Sequence, residues 1–166
     1  MSSSKPGDEA ARALTAATRW LNTRVHSTHE ARAYLTGRRV RPGIITRVLT
    51  ACRQRGLLDD RACARLWADH WAGRGYAWAA IRQRLAAKGL SDAAINAAAP
   101  RGIAASDEAL ARQATAAWLQ RHTSHHPDRL SRLLAARGFD GELIERIATE
   151  IFSAAFSDAE RDVAER

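Results

Sequence analysis

Cysteine, proline and aromatic residues are scarce in this chain of 166 residues, and each scarcity closes off a class of structure. Cys52 and Cys63 are the only cysteines, too few for a disulfide-stapled secreted fold, and both fall inside predicted helices. Reduced thiols in a cytoplasmic protein follow as the expectation. Four prolines, three Phe, two Tyr and abundant Ala favour helix over strand throughout. No apolar run approaches a membrane span, and Met1–Asp8 is too polar for a signal peptide, so no membrane is expected as a partner. Catalytic apparatus is missing as well. No nucleophile with base and orienter, glycine-rich phosphate cradle or paired carboxylates on one helix face can be assembled, so neither enzymatic activity nor a cofactor is expected. His122, His125 and His126 lie close in sequence, but no cysteine or well-placed carboxylate accompanies them as zinc requires; they read as a solvated loop.

What the chain does contain is a phrase stated three times. Arg38-Arg39-Val40, Lys88-Gly89-Leu90 and Arg137-Gly138-Phe139 each close a short amphipathic stretch at a spacing of about fifty residues. Upstream, Ala31, Ile81 and Leu130 correspond, as do Leu35, Leu85 and Leu134. Downstream, Ile44-Ile45, Ala94-Ile95 and Leu143-Ile144 fall at matching places. A fixed period of this length marks repeats that bury their apolar faces partly against their neighbours. The expected fold is therefore all-α, an elongated tandem array of three three-helix repeats at 9–58, 59–100 and 103–156, with flexible tails at 1–8 and 157–166.

Capping signals place nine helices. The first covers about 9–24. Ser27-Thr28-His29-Glu30 has capping-box spacing and opens a helix to about Arg38. Arg41-Pro42 opens a third, with Ile44, Ile45, Val48, Leu49 and Cys52 on one stripe and Gly56 as the stop. In the second repeat, Asp59-Asp60 precede an expected apolar face of Cys63, Leu66, Trp67, His70 and Trp71, with His70 read as a packed histidine. Trp78, Ile81 and Leu85 line the next helix, with Trp78 read as core, and Ser91 caps a short one. Ser106 and Asp140 cap helices of the third repeat, and Pro100-Arg101-Gly102 reads as a linker.

The net charge of +8 is unevenly placed. Residues 19–55 hold nine Arg against Glu30 alone, while residues 101–166 hold nine bases against eleven acids. Arg24, Arg32, Arg38, Arg39, Arg41, Arg47 and Arg53 are accordingly the first candidates for contact with a polyanion or an acidic protein surface, since guanidinium groups engage phosphate or carboxylate bidentately. Arg74, Arg82, Arg84 and Lys88 form a smaller set around Tyr76, a ring able to stack on an unpaired base or to pack in the core. Arg84 and Lys88 share a helix face and would repel unless an anion or acid lies opposite. Glutamine and asparagine are scarce on these helices, which argues against base-specific reading of a DNA groove.

Several of these motifs in order resemble the RecX family of bacterial recombination regulators. Gly56-Leu57-Leu58-Asp59-Asp60, Arg74-Gly75-Tyr76, Ile81-Arg82-Gln83-Arg84-Leu85 and Lys88-Gly89-Leu90 look like its central repeat. Ser27-Thr28-His29-Glu30 and Arg137-Gly138-Phe139 resemble signatures of the first and third. Cys63 and Ala31 depart from the pattern, standing where the family usually has a large aromatic and Leu. The resemblance implies an all-helical, elongated regulator that lodges in the groove of a RecA-type recombinase filament on single-stranded DNA; a monomer is the separate expectation. The resemblance also implies suppression of ATP hydrolysis, strand exchange and co-protease action, without a cofactor. The candidate residues above would then form its filament or DNA contact. A plain nucleic-acid-binding helical repeat, acting without a recombinase, is the alternative reading.

Overall fold

Ser27 starts its helix as the capping box predicts: its Oγ accepts the Glu30 N–H at 3.1 Å, while Glu30 Oε2 accepts the Ser27 N–H at 2.9 Å. Ser91 and Ser106 make the hydroxyl half of such a cap, accepting from the Ala94 and Ala109 N–H groups at 3.3 and 3.2 Å. The computed structural model describes the backbone of residues 6–99, 106–122 and 126–164 and the side chains of 7–99, 106–122 and 126–153; the Pro100-Arg101-Gly102 linker and His125 lie outside these. Among the described residues nine helices and no strand occur. They are α1 (Pro6–Leu21), α2 (Thr28–Gly37), α3 (Pro42–Gln54), α4 (Asp60–Ala72), α5 (Trp78–Ala87), α6 (Asp92–Ala97), α7 (Asp107–Leu119), α8 (Pro127–Ala136) and α9 (Gly141–Ala164). The first helix begins and ends about three residues earlier than its sequence suggests, stopped where the Thr23 hydroxyl donates to Trp20 O at 2.7 Å. The backbone of α9 stays helical through Ala164, carried by good helix formers.

The thrice-stated phrase is a helix stop of one geometry. Val40 N–H donates to Leu35 O, Leu90 N–H to Leu85 O and Phe139 N–H to Leu134 O, at 3.2, 3.4 and 3.2 Å. One residue earlier, Arg39, Gly89 and Gly138 donate to Thr36, Ala86 and Ala135. This is the Schellman pattern, which puts the middle residue in the left-handed region. Its φ is +58° at Arg39, +69° at Gly89 and +83° at Gly138. Glycine is required at the last two for a second reason. A Cβ at Gly89 would collide with the His29 ring, and one at Gly138 would lie 2.7 Å from Ala80 Cβ. Each of these turns is packed against the middle helix of the preceding repeat. Arg39 is exposed, so its turn accommodates a side chain. Arg39→Gly should therefore stabilise the protein by about 0.5 kcal/mol, relief of left-handed strain of about 1–2 kcal/mol being partly offset by a freer unfolded chain. Gly138→Ala should cost at least about 2 kcal/mol through strain and overpacking. Urea unfolding of the two variants checks the opposite signs.

The joint between successive repeats recurs too. Thr28 N–H donates to Asp60 Oδ1 and Trp78 N–H to Asp107 Oδ1, both at 2.8 Å, so an acid near the start of the next repeat takes up an unsatisfied donor at the start of a middle helix. Beside these bonds, Ser27 Oγ–H donates to Lys88 O at 2.6 Å and Ala77 N–H donates to Arg137 O at 3.0 Å.

By packing, the chain falls into two units, Met1–Ala68 with Gln83–Ala99, and Asp69–Arg82 with Pro100–Arg166. In the first, Ala13, Ala17 and Leu21 of α1 pack with Leu35 of α2 and with Ile44, Ile45, Val48, Leu49 and Cys52 of α3. In the second, Leu110, Ala114 and Trp118 of α7 pack with Leu130 and Leu134 of α8 and Leu143, Ile144 and Ile147 of α9. All the register-matched apolar positions are buried, with Leu35, Leu85 and Leu134 at 0% exposure. Cys52 and Cys63 are free, buried thiols, and burial pushes the Cys63 thiol up to about 11.

The α4 face differs from expectation. Cys63, Ala64 and Ala68 are its buried residues, whereas Leu66 is 50% exposed and His70 is exposed, its ring edge-on to Trp71. Small side chains let the backbone approach closely, and the inward stripe shifts by a residue accordingly. Trp67, Trp71 and Trp78 are only half-buried, so Trp78 is a margin residue rather than core.

Candidate anion-binding surfaces

Stacking organises the basic face of the first unit. The Arg38 guanidinium lies 4.8 Å from the Tyr34 ring centroid; Tyr34 stacks on Trp20 at 4.5 Å and 9°, and Trp20 on His26 at 3.5 Å. Tyr34 and Trp20 are placed by α2 and α1, so a flexible arginine is held on a rigid aromatic stack. Arg38, Arg39 and Arg41 converge with Arg12 of α1 around a concavity of about 460 Å³. Arg41 is committed internally. Its Nε donates to Glu9 Oε2 at 2.8 Å and its backbone N–H to Glu9 Oε1 at 3.2 Å, and these hydrogen bonds hold the Glu9 carboxyl below its ordinary value. Arg12 was not legible as a participant, because it sits in a charge-balanced stretch and joins the group only through packing of α1.

Arg24 and Lys88 meet elsewhere in the same unit. Lys88 Nζ lies 3.0 Å from Glu30 Oε1 and 4.1 Å from the Trp67 ring centroid; Arg24 lies 3.3 Å from Glu30 Oε1 and 5.9 Å from the same ring. Glu30 is the acid that the Arg84/Lys88 face called for. Burial works to raise its carboxyl, but the Ser27 N–H and Lys88 outweigh this and hold it below the ordinary range. Arg53 lines a concavity of about 530 Å³ with Asp59, Asp60 and Arg61, where acids temper its charge. Arg32, Arg47 and Arg82 are exposed on α2, α3 and α5 and line none of these concavities; Arg84 is half-buried.

In the second unit Arg74 and Tyr76 come together with Arg121 and Arg137 around a concavity of about 440 Å³. Nothing in the sequence marks Arg121 or Arg137 as a site residue, although Arg137 belongs to the repeated phrase. The acids of this unit are partly engaged on another surface: Glu108 and Glu150 bind Arg112 at 3.1 and 2.9 Å. Among the described residues no group of three or more His, Cys, Asp or Glu could hold a metal ion, and no helix is long and apolar enough to cross a membrane.

His26 is the one buried histidine among the described side chains, and its Nδ1 is without a hydrogen bond, 3.8 Å from Glu30 Oε2. Burial and the positive charges of Arg24 and Lys88 lower its pKa below 6.5, against the opposing pull of Glu30. A lowered histidine pKa means that the unfolded chain binds the proton better. Its contribution is therefore fully present above the unfolded value and is lost as pH falls from about 6.5 towards the folded value. Thermal unfolding should show a midpoint that falls between about pH 7 and pH 5, with a shallower fall in His26→Gln.

A sequence profile of the RecX second three-helix domain matches residues 59–98. The chain is 31% identical over 153 residues to regulatory protein RecX of Thermobifida fusca (strain YX), an alignment spanning 89% of this chain and 83% of that protein. Its fold matches the crystal structure of RecX from Lactobacillus salivarius with a TM-score of 0.70 at 15% identity, over 87% of this chain and 97% of that one. A second crystal structure, of regulatory protein RecX, matches with a TM-score of 0.67 at 19% identity, over 84% of this chain and 71% of the other. At those identities the two structures speak to the fold alone, and they share its all-helical architecture of tandem three-helix repeats.

Proposed function

The chain belongs to the RecX family of regulatory proteins, and from that premise we propose that it binds the filament of a RecA-type recombinase on single-stranded DNA and damps its ATP hydrolysis, strand exchange and co-protease action. It acts as a monomer in the cytoplasm, through three modules spanning about 9–58, 59–100 and 103–156. The supporting observation is the concavity of the first unit, where Arg12, Arg38 and Arg39 are presented around Arg41, with Arg38 fixed on the Tyr34–Trp20–His26 stack. A filament groove is long, helical and built around a polyanion, so a ligand made of repeated modules with preorganised guanidinium groups suits it. The exposed Arg32, Arg47, Arg53 and Arg82 add long-range attraction that weakens with salt.

The experiment is ATP hydrolysis by the cognate recombinase on single-stranded DNA, titrated with this protein well below one per recombinase subunit. Marked suppression is expected, because a filament ligand acts on many subunits at once. Suppression only when the DNA is saturated would instead identify a plain nucleic-acid-binding module that competes for the strand.

A further inference from the structure

The two inter-repeat joints share a skeleton but differ in one corner, and the difference carries chemistry. In the first joint, Ser27, Thr28, Asp60 and Lys88 make the linking bonds; in the second, Ala77, Trp78, Asp107 and Arg137 make theirs. The equivalences follow: the middle-helix start is displaced by 50 positions, the next repeat's first helix by 47 and its helix stop by 49. Arg24 thus corresponds to Arg74, His26 to Tyr76, Glu30 to Ala80, Trp67 to Ala114 and Lys88 to Arg137.

In the first joint the corner is filled and its charge partly neutralised. Glu30 binds Arg24 and Lys88, and the Trp67 ring lies against both cations. At the second joint the two residues that do this are absent. The acid has become Ala80 and the tryptophan Ala114, while both cations are kept as Arg74 and Arg137. A concavity of about 440 Å³ opens there, and Gln113 and Arg121 of α7 and its C-terminal turn add further donors. No acid lines it. Its walls are fixed: Arg137 O accepts from Ala77, Trp78 N–H is held by Asp107, and the Arg137 guanidinium lies 6.0 Å from the Tyr76 ring centroid.

We propose that this corner of the second unit is a phosphate-binding pocket, with Arg74, Arg121 and Arg137 holding the phosphate of a nucleotide and Tyr76 bordering its base. Three guanidinium groups without a carboxylate suit an anion with three or more oxygens around one centre, which a phosphate has and a single carboxylate lacks. An aromatic ring beside them favours a phosphate that carries a base. The pocket is defined by this chain alone and needs no recombinase.

The test uses the full chain with no recombinase present. Calorimetric titration would measure affinity for thymidine 5′-monophosphate and for a short oligothymidylate at low salt. Arg74→Gln with Arg121→Gln should weaken binding at least about tenfold, the loss expected for charge-assisted hydrogen bonds. Both positions are exposed, so helix content by circular dichroism should hold, and Arg137→Gln provides an independent disruption. Arg129→Gln, which removes a positive charge from the same unit outside the pocket, should change affinity by less than about twofold. Weakening for both ligands, or for the mononucleotide alone, would support a site that accepts a free nucleotide. Weakening for the oligonucleotide alone would support one that reads phosphate within a strand. Equal weakening by the pocket variants and Arg129→Gln would overturn the pocket, as would failure of the native protein to bind either ligand.

Discussion

Replacing Arg38 and Arg39 together by Glu should raise the concentration needed for half-maximal suppression of filament ATPase at least about a hundredfold, since removing each charge-assisted hydrogen bond costs on the order of 1.5–3 kcal/mol. Arg38 is the guanidinium in this face held on an aromatic stack, so little side-chain entropy remains to be given up when it meets an anion. Arg39 projects, exposed, from a left-handed turn. Arg41 should be left alone in this experiment. It is tied to Glu9, and a glutamate there would face another carboxylate and disturb α1 as well as the surface. Reversal at 38 and 39 breaks no ion pair seen among the described side chains, so helix content should match the native protein. Circular dichroism alongside the ATPase titration separates the two effects. Undiminished suppression by a fully helical double variant would remove this surface from the filament interface.

Much of this was legible in the sequence because it is local. The capping box at Ser27, the proline start of α3 and the apolar stripe of Ile44, Ile45, Val48, Leu49 and Cys52 depend on residues a few positions apart. Even the repeated phrase betrayed a helix stop through its glycines. Tertiary packing was harder to read. The inward face of α4 is set by Ala64 and Ala68, which a hydrophobicity stripe passes over in favour of Leu66. The basic residues were legible one by one but not as groups. Arg12 reaches Arg38 and Arg39 because α1 packs on α3, and Arg121 joins Arg74 because α7 follows the Asp107 joint. The charge on Lys88 asks for an anion or acid opposite, but that Glu30 supplies it from 58 residues away is set by packing.

Leu85→Ala should destabilise the protein by about 2–5 kcal/mol, the range for truncating a fully buried leucine. Leu85 is 0% exposed, at the same place in its repeat as Leu35 and Leu134. Its carbonyl also accepts the Leu90 N–H that closes the helix stop, so a side chain that anchors α5 steadies the turn that follows. The loss is a large part of the roughly 5–15 kcal/mol by which such domains are stable, and the urea midpoint should fall steeply. Arg82→Ala, at an exposed position of the same helix, should change stability by no more than about 0.5 kcal/mol. The contrast tests the orientation of the helix, on which the placement of Arg82, Arg84 and Lys88 depends. A cost at Leu85 below about 1 kcal/mol would mean that α5 is turned, and its basic residues would need reassignment. Filament suppression adds an independent readout. Leu85 lines neither candidate surface, so at a temperature where the variant is folded its suppression should equal that of the native protein. The Arg38/Arg39 variant should show the converse, near-native unfolding with suppression weakened at least about a hundredfold, and the crossed pair separates scaffold from binding surface.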